Sequence, residues 1–133
     1  MSTVSNIGLS GMQAAAARLQ AAASNIANAQ SNGRVPSGGA ARPGDVYQPV
    51  DVVQIDRKGG GVTTSYASRQ GGYSMLSDPN SPFADADGNV AAPDVDLATE
   101  LVNVILAKYQ FAASTKIVEA DDQMQKATLD TLA

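Results

Sequence analysis

The last stretch of the chain, Asp96 to Ala133, contains neither Pro nor Gly and reads as one long helix. At 1.5 Å per residue it runs ~55 Å, whereas a compact domain of ~100 residues has a radius of gyration of only ~13 Å. Its own chain cannot cover a helix of that length. Two apolar stripes run along it. Val102, Leu106, Tyr109, Ala113, Ile117, Ala120, Met124 and Ala127 recur at helical spacing and share one face. Leu97, Leu101, Val104, Phe111, Val118, Leu129 and Leu132 form a second stripe, interrupted at its own spacing by Lys108 and Asp122. Val102 and Val104 lie ~200° apart around a helix, so the stripes look in nearly opposite directions. One is expected to face the protein's own chain and the other a further partner.

A second helical pattern spans Val4 to Ala29, with Leu9, Met12, Ala16, Leu19, Ala23 and Ile26 alternating by three and four. Arg18 is the only charged residue there, and Ala, Ser, Gln and Asn occupy nearly all the remaining circumference. A solvated surface helix carries charges on its outer face, so this one is expected to be enclosed by neighbours. Gly8 and Gly11 each weaken the first turns by up to ~1 kcal/mol relative to Ala, which predicts a start that frays without a partner.

Composition changes at Gln30. All six prolines and ten of the twelve glycines lie between Ser31 and Pro93, which excludes a long helix there. Ser31 to Pro43 reads as a mobile loop. Val46 to Ile55 and Val62 to Tyr66 read as two strands joined through Gly59-Gly60-Gly61, giving one small hairpin with Pro49 at an edge. Ser77 to Pro93 reads as a turn-rich approach to the long helix, with Asp96 as its N-cap and Glu100 favouring its positive end. The expected fold is mainly α with a small β hairpin. Residues 1–30 form an N-terminal helix, 31–95 an irregular β-containing middle and 96–133 the long helix, the two helices pairing antiparallel as a coiled coil.

The inventory of reactive groups is thin. With no Cys and no His, the chain lacks thiolates, the commonest metal ligand and the usual general base near neutral pH. Asp85-Ala86-Asp87-Gly88-Asn89 starts like a calcium loop, but Val90 and Asp96 stand where Gly and Glu are required, so a turn is the better reading. The glycine triplet lacks the Lys and Ser or Thr of a phosphate loop, and Glu119, Asp121 and Asp122 read as a solvated helix face. A net charge of −4, with Arg57-Lys58 the only adjacent basic pair, gives no electrostatic reason to expect nucleic acid. No cofactor, metal or small-molecule substrate is expected. No stretch approaches the ~20 apolar residues of a membrane span, and Met1 to Gln20 lacks the charged start and apolar run of a cleaved signal peptide.

Leu9-Ser10-Gly11-Met12-Gln13-Ala14, followed by Ala23-Ser24-Asn25-Ile26-Ala27-Asn28-Ala29, resembles the N-terminal signature of the bacterial flagellar rod and hook axial proteins. Pro93-Asp94-Val95-Asp96-Leu97, then Glu100-Leu101-Val102-Asn103 and Tyr109-Gln110-Phe111-Ala112-Ala113, resembles the family's C-terminal helix. Ser24, Asn25, Ile26, Asn28, Val95 and Asp96 are the motif positions. In the middle, Val46 to Gln54 and Asp78 to Val90 are similar to the proximal-rod members. Gln30-Ser31-Asn32-Gly33-Arg34 stands where many rod and hook members carry a Thr-Pro-Gly-Tyr turn. The resemblance implies a structural subunit whose terminal helices polymerise into a tubular drive shaft and export conduit. Its implied partners are copies of itself, other rod proteins and the flagellar type III export apparatus. The implied location is the periplasm-spanning rod of the basal body, reached without signal cleavage. Leu9, Met12, Leu19 and Ile26, with Leu101, Val102, Val104, Leu106, Tyr109, Phe111, Ile117, Val118, Met124 and Leu129, are the candidate pairing and assembly residues. The alternative left open by the helices alone is a soluble helical binding module or adaptor for an export partner.

Overall fold

A computed structural model describes residues 2–36, 44–69 and 71–132. The expected loop from Ser31 to Pro43 therefore falls partly outside the described residues, from position 37 on. Helix α1 (Thr3–Asn28) and helix α2 (Leu97–Leu132) bracket four strands, β1 (Val50–Asp56), β2 (Val62–Ser68), β3 (Tyr73–Ser77) and β4 (Asn89–Pro93). Both helices start on side-chain caps, which satisfy amides that the helix itself leaves unpaired. Ser2 Oγ accepts from Ser5 N at 3.0 Å. Asp96 acts as expected: its carboxylate accepts from Ala98 N at 3.0 Å and from Thr99 Oγ1 at 2.6 Å. Those bonds hold the Asp96 carboxyl below the usual range, with the Thr99 hydroxyl as the main cause.

The helices run antiparallel. Ser2 and Ser5 meet Asp121, Arg18 meets Gln110 and Asn25 meets Glu100. The seam between them is built of small side chains. On α2 the buried residues are Glu100, Ala107, Ser114 and Asp121, and on α1 they include Gly8, Ala15 and Ala22, both sets recurring every seven positions. A Cβ on Gly8 would stand 2.6 Å from Val118 Cγ2, and one on Gly11 would stand 2.5 Å from Ser114 Oγ. The two glycines expected to loosen α1 are what lets α2 approach it. Residues 122–132, all exposed, carry α2 ~16 Å past the start of α1.

The middle holds two hairpins, where one was expected. β1 and β2 pair antiparallel from Val50 with Ser68 to Asp56 with Val62, and the expected strand from Val46 begins only after Pro49. Gly59, Gly60 and Gly61 turn the chain with φ of 101°, 98° and 84°, values open mainly to glycine. This hairpin lies along α1, with Val62 N donating to Ser10 Oγ at 3.2 Å and Tyr66 OH to Gln20 Oε1 at 2.9 Å. The second hairpin pairs β3 with β4, Tyr73 with Pro93 through Ser77 with Asn89. It replaces the turn-only reading of Ser77 to Pro93. Its strands are short and end in Pro and Ser, so their alternation is hidden beside the turn residues. Asp85 does form a turn: its Oδ1 accepts from Asp87 N at 3.0 Å and Asn89 N at 2.8 Å. Gly33 extends the sheet by exchanging two backbone bonds with Ala91, at 2.9 and 3.0 Å.

Candidate assembly surface

One polar joint fixes the two helices and the β region to each other. Asn25, 1% exposed, uses its whole side chain. Its Nδ2 donates to Val50 O at 3.0 Å and to Glu100 Oε1 at 2.9 Å. Its Oδ1 accepts from Val50 N and Tyr47 OH, each at 2.9 Å. Asn25 thus mimics a strand partner for Val50 while reaching across to α2, a geometry only a side-chain amide supplies. Glu100, 3% exposed, also accepts from Asn103 Nδ2 at 3.2 Å and lies 3.6 Å from Arg69 Nη2. Arg69 is held mainly by a bidentate pair with Asp51, 2.7 and 3.2 Å, which raises the guanidinium's pKa further. Among the other motif positions, Ser24 Oγ lies 3.0 Å from Tyr47 OH and Asn28 Nδ2 donates to Ser24 O at 2.9 Å. Ile26 and Val95 are half-buried near the same end.

The large apolar side chains are on the outside. Val102, Leu106, Tyr109, Ile117 and Met124 are 46–67% exposed, and Leu101, Phe111 and Leu129 are exposed as well. Val104 and Val118 are half-buried flanks of the seam, as is Met12, whose Sδ accepts from Thr115 Oγ1 at 3.3 Å. On α1, Leu9 and Leu19 are exposed and Ile26 is half-buried. The first expected stripe of α2 lies away from the intramolecular seam, and of the second only Val104 and Val118 border it. Around Val102, Leu106 and Tyr109 the first stripe lies ~100° or more from Glu100 and Ala107, at 100° per residue. Close helix approach selects Gly, Ala and Ser, and so leaves the larger residues free for other faces. Ile105, 52% exposed, belongs to the same outer surface and was absent from both expected stripes. Its spacing of four from Leu101 and Tyr109 was the signal that could have found it.

Asp121 corrects the reading of a uniformly solvated acidic face. It is buried, and its carboxylate accepts from the Ser2 and Ser5 hydroxyls and from Gln125 Nε2 at 2.9 Å. These bonds, Ser2 first, hold its carboxyl below the usual range, and they place negative charge at the positive end of α1. Glu119 and Asp122 do face solvent, paired with Lys116 and Lys126. Arg18 is held by two neutral amides, Gln110 Oε1 at 2.8 Å and Gln54 Oε1 at 3.0 Å. The Nε2 of Gln54 is buried without a hydrogen-bond partner among the described residues.

Comparison with known proteins gives one answer across the chain. A family model described as flagellar basal body rod FlgEFG protein C-terminal matches residues 86–131, from the β3–β4 connection through α2. The flagellar basal-body rod protein FlgC of Salmonella typhimurium is 33% identical over 120 residues, covering 90% of this chain and 89% of that protein. FlgC of Escherichia coli O157:H7 is 32% identical over the same coverage, and FlgC of Agrobacterium fabrum is 25% identical over 132 residues, 99% of this chain and 95% of that one. The match to the Agrobacterium fabrum protein, at 99% of this chain, takes in the Asn25 joint, the small-residue seam and the exposed stripes. The chain belongs to the FlgC family of flagellar basal-body rod proteins.

Proposed function

We propose that this chain is a structural subunit of the flagellar proximal rod, polymerising through its two terminal helices into a tubular shaft that transmits torque and conducts exported protein. One observation carries the reading: the chain uses its smallest residues for its own helix seam and leaves Leu9, Leu19, Leu101, Val102, Leu106, Tyr109 and Ile117 exposed. Apolar surface on that scale marks an interaction site. The seven-residue recurrence of the buried positions on α2 supports a left-handed coiled-coil geometry for the pair. Partners in this reading are further copies of the chain, other rod proteins and the type III export apparatus. The working location is the basal body. No helix among the described residues is long and apolar enough to cross a membrane. A catalytic role has no support in the residue inventory, since the chain has neither His nor Cys and its buried carboxylates serve as structural acceptors.

The test is substitution on the outer face. Leu106→Asp and Ile117→Asp are expected to abolish rod assembly and swimming with expression intact. Leu106 is 55% exposed, so the monomer's melting temperature should change little. Normal swimming by either variant would overturn the reading.

A further inference from the structure

We infer that the tip of the β1–β2 hairpin is a docking site for the last turn of α2 from a second copy of this chain. The inference rests on the rod-subunit reading and adds one defined contact to it. Arg57 and Lys58 form the only adjacent basic pair in a chain of net charge −4, and both are exposed. Neither enters an ion pair among the described residues. The turn sets them against the outer side of α1, where a cavity of about 380 Å³ opens between Arg57, Lys58 and Gly60 on one wall and Asn6, Leu9 and Gln13 on the other. The side-chain amides of Asn6 and Gln13 have no hydrogen-bond partner among the described residues. Two cations, two unengaged amides and an exposed Leu fit a carboxylate carried on an aliphatic surface.

The last turn of α2 has that chemistry. Asp130 is exposed and forms no ion pair among the described residues; Lys126, four residues before it, pairs with Asp122 instead. Leu129 and Leu132 flank it at 67% and 80% exposure. The neighbouring carboxylates are already engaged, Asp121 by the two serines and Asp122 by Lys126. Within one chain the two surfaces cannot meet. α2 passes the start of α1 where Asp121 meets Ser2, and Asp130 stands ~13 Å further on at 1.5 Å per residue. The hairpin tip packs on the other side of Ser2, against Ile7 and Ser10. A second copy is therefore the donor. Because donor and acceptor surfaces differ, each copy can give one contact to a neighbour and receive another from a third copy, so a head-to-tail arrangement extends beyond two copies.

The absence of cysteine allows a clean test. Cells whose only copy carries Lys58→Cys and Asp130→Cys are oxidised, and basal bodies are resolved without reductant. Dimers, trimers and longer species are expected from the double variant and from neither single variant, nor from Lys58→Cys with Asp87→Cys. Arg57→Asp with Lys58→Asp should lose swimming, and adding Asp130→Lys should recover it. Basal bodies that hold the cysteine variant in normal amount without cross-links overturn the contact and leave the rod reading standing. Arg57→Asp with Lys58→Asp swimming normally, or staying immotile with Asp130→Lys, also overturns the contact. Absence of the unsubstituted chain from basal bodies overturns both.

Discussion

Replacing Asn25 tests whether the polar joint holds the helices to the β region. Asn25→Ala removes four hydrogen bonds: two to the backbone of Val50, one to Glu100 and one from Tyr47. A typical net contribution is ~1 kcal/mol per bond, more where a charged acceptor is left short of a donor. Glu100 keeps Asn103 and Arg69, which limits its loss. The expected cost is ~3–5 kcal/mol, a large part of the ~5–15 kcal/mol that stabilises a typical domain. Urea unfolding followed by far-UV circular dichroism should show a midpoint lower by ~2 M, with a slope of ~2 kcal/mol/M. Asn25→Asp keeps the shape but loses both donors and sets a carboxylate against Glu100. It should be at least as damaging at pH 7, because two carboxylates then face each other where an amide donated to one. A cost below ~1 kcal/mol for Asn25→Ala would refute the joint as an energetic feature.

Gly8→Ala should lower stability by ~1–2 kcal/mol despite alanine's better helix propensity, and Val118→Ala in the same chain should restore part of it, measured as a double-mutant cycle in thermal melts. Asp121 titrates below its ordinary value in the folded chain, so its contribution is present above the unfolded pKa of ~3.9 and is lost as pH falls through the folded value. Protection factors in the first turn of α1, corrected for the intrinsic slowing of amide exchange in acid, should therefore fall as pH drops, and Asp121→Asn should remove that fall. Gln54→Glu puts a carboxylate beside Arg18 in place of an amide with a buried unpaired donor, and should raise the melting temperature by ~3 °C at pH 7.

Much of the architecture was legible because long helices and their caps are local. The Pro-free run, the Asp96 cap and the glycine turn each depend on adjacent residues, and each appears where the sequence places it. The helix faces were harder. Hydrophobic periodicity marks faces that need cover, and it cannot say whether the cover is the same chain. Here the strongest stripes lie outside and the seam is written in Gly, Ala and Ser, which carry little hydrophobic signal. Asn25 and Asp121 were missed as anchors for a related reason. A polar residue in a helix reads as solvent-facing until its partners, Val50 and Glu100 or Ser2 and Ser5, are known from far along the chain. The β3–β4 hairpin was hidden by the Asp, Pro and Gly of its long connection.

The division of residues between seam and surface also determines when the fold becomes stable. A seam of Ala, Gly and Ser buries little apolar area per residue, so the isolated helix pair is held by a modest hydrophobic term and by polar anchors at its two ends. Val102, Leu106, Tyr109, Ile117 and Met124 retain 46–67% of their exposure, leaving about half of the ~1.5–3 kcal/mol each could contribute on full burial. That is ~5 kcal/mol per subunit on one stripe, comparable to the lower range of a whole domain's stability. Burying it against neighbours adds to folding stability by mass action, because the neighbours bind only the folded helix. The same substitution should then act very differently in the two states: Leu106→Ala should shift the monomer's melting temperature by no more than ~2 °C, while destabilising the assembled subunit by ~1–2 kcal/mol. Equal effects in monomer and assembly would mean that Leu106 contributes nothing between subunits.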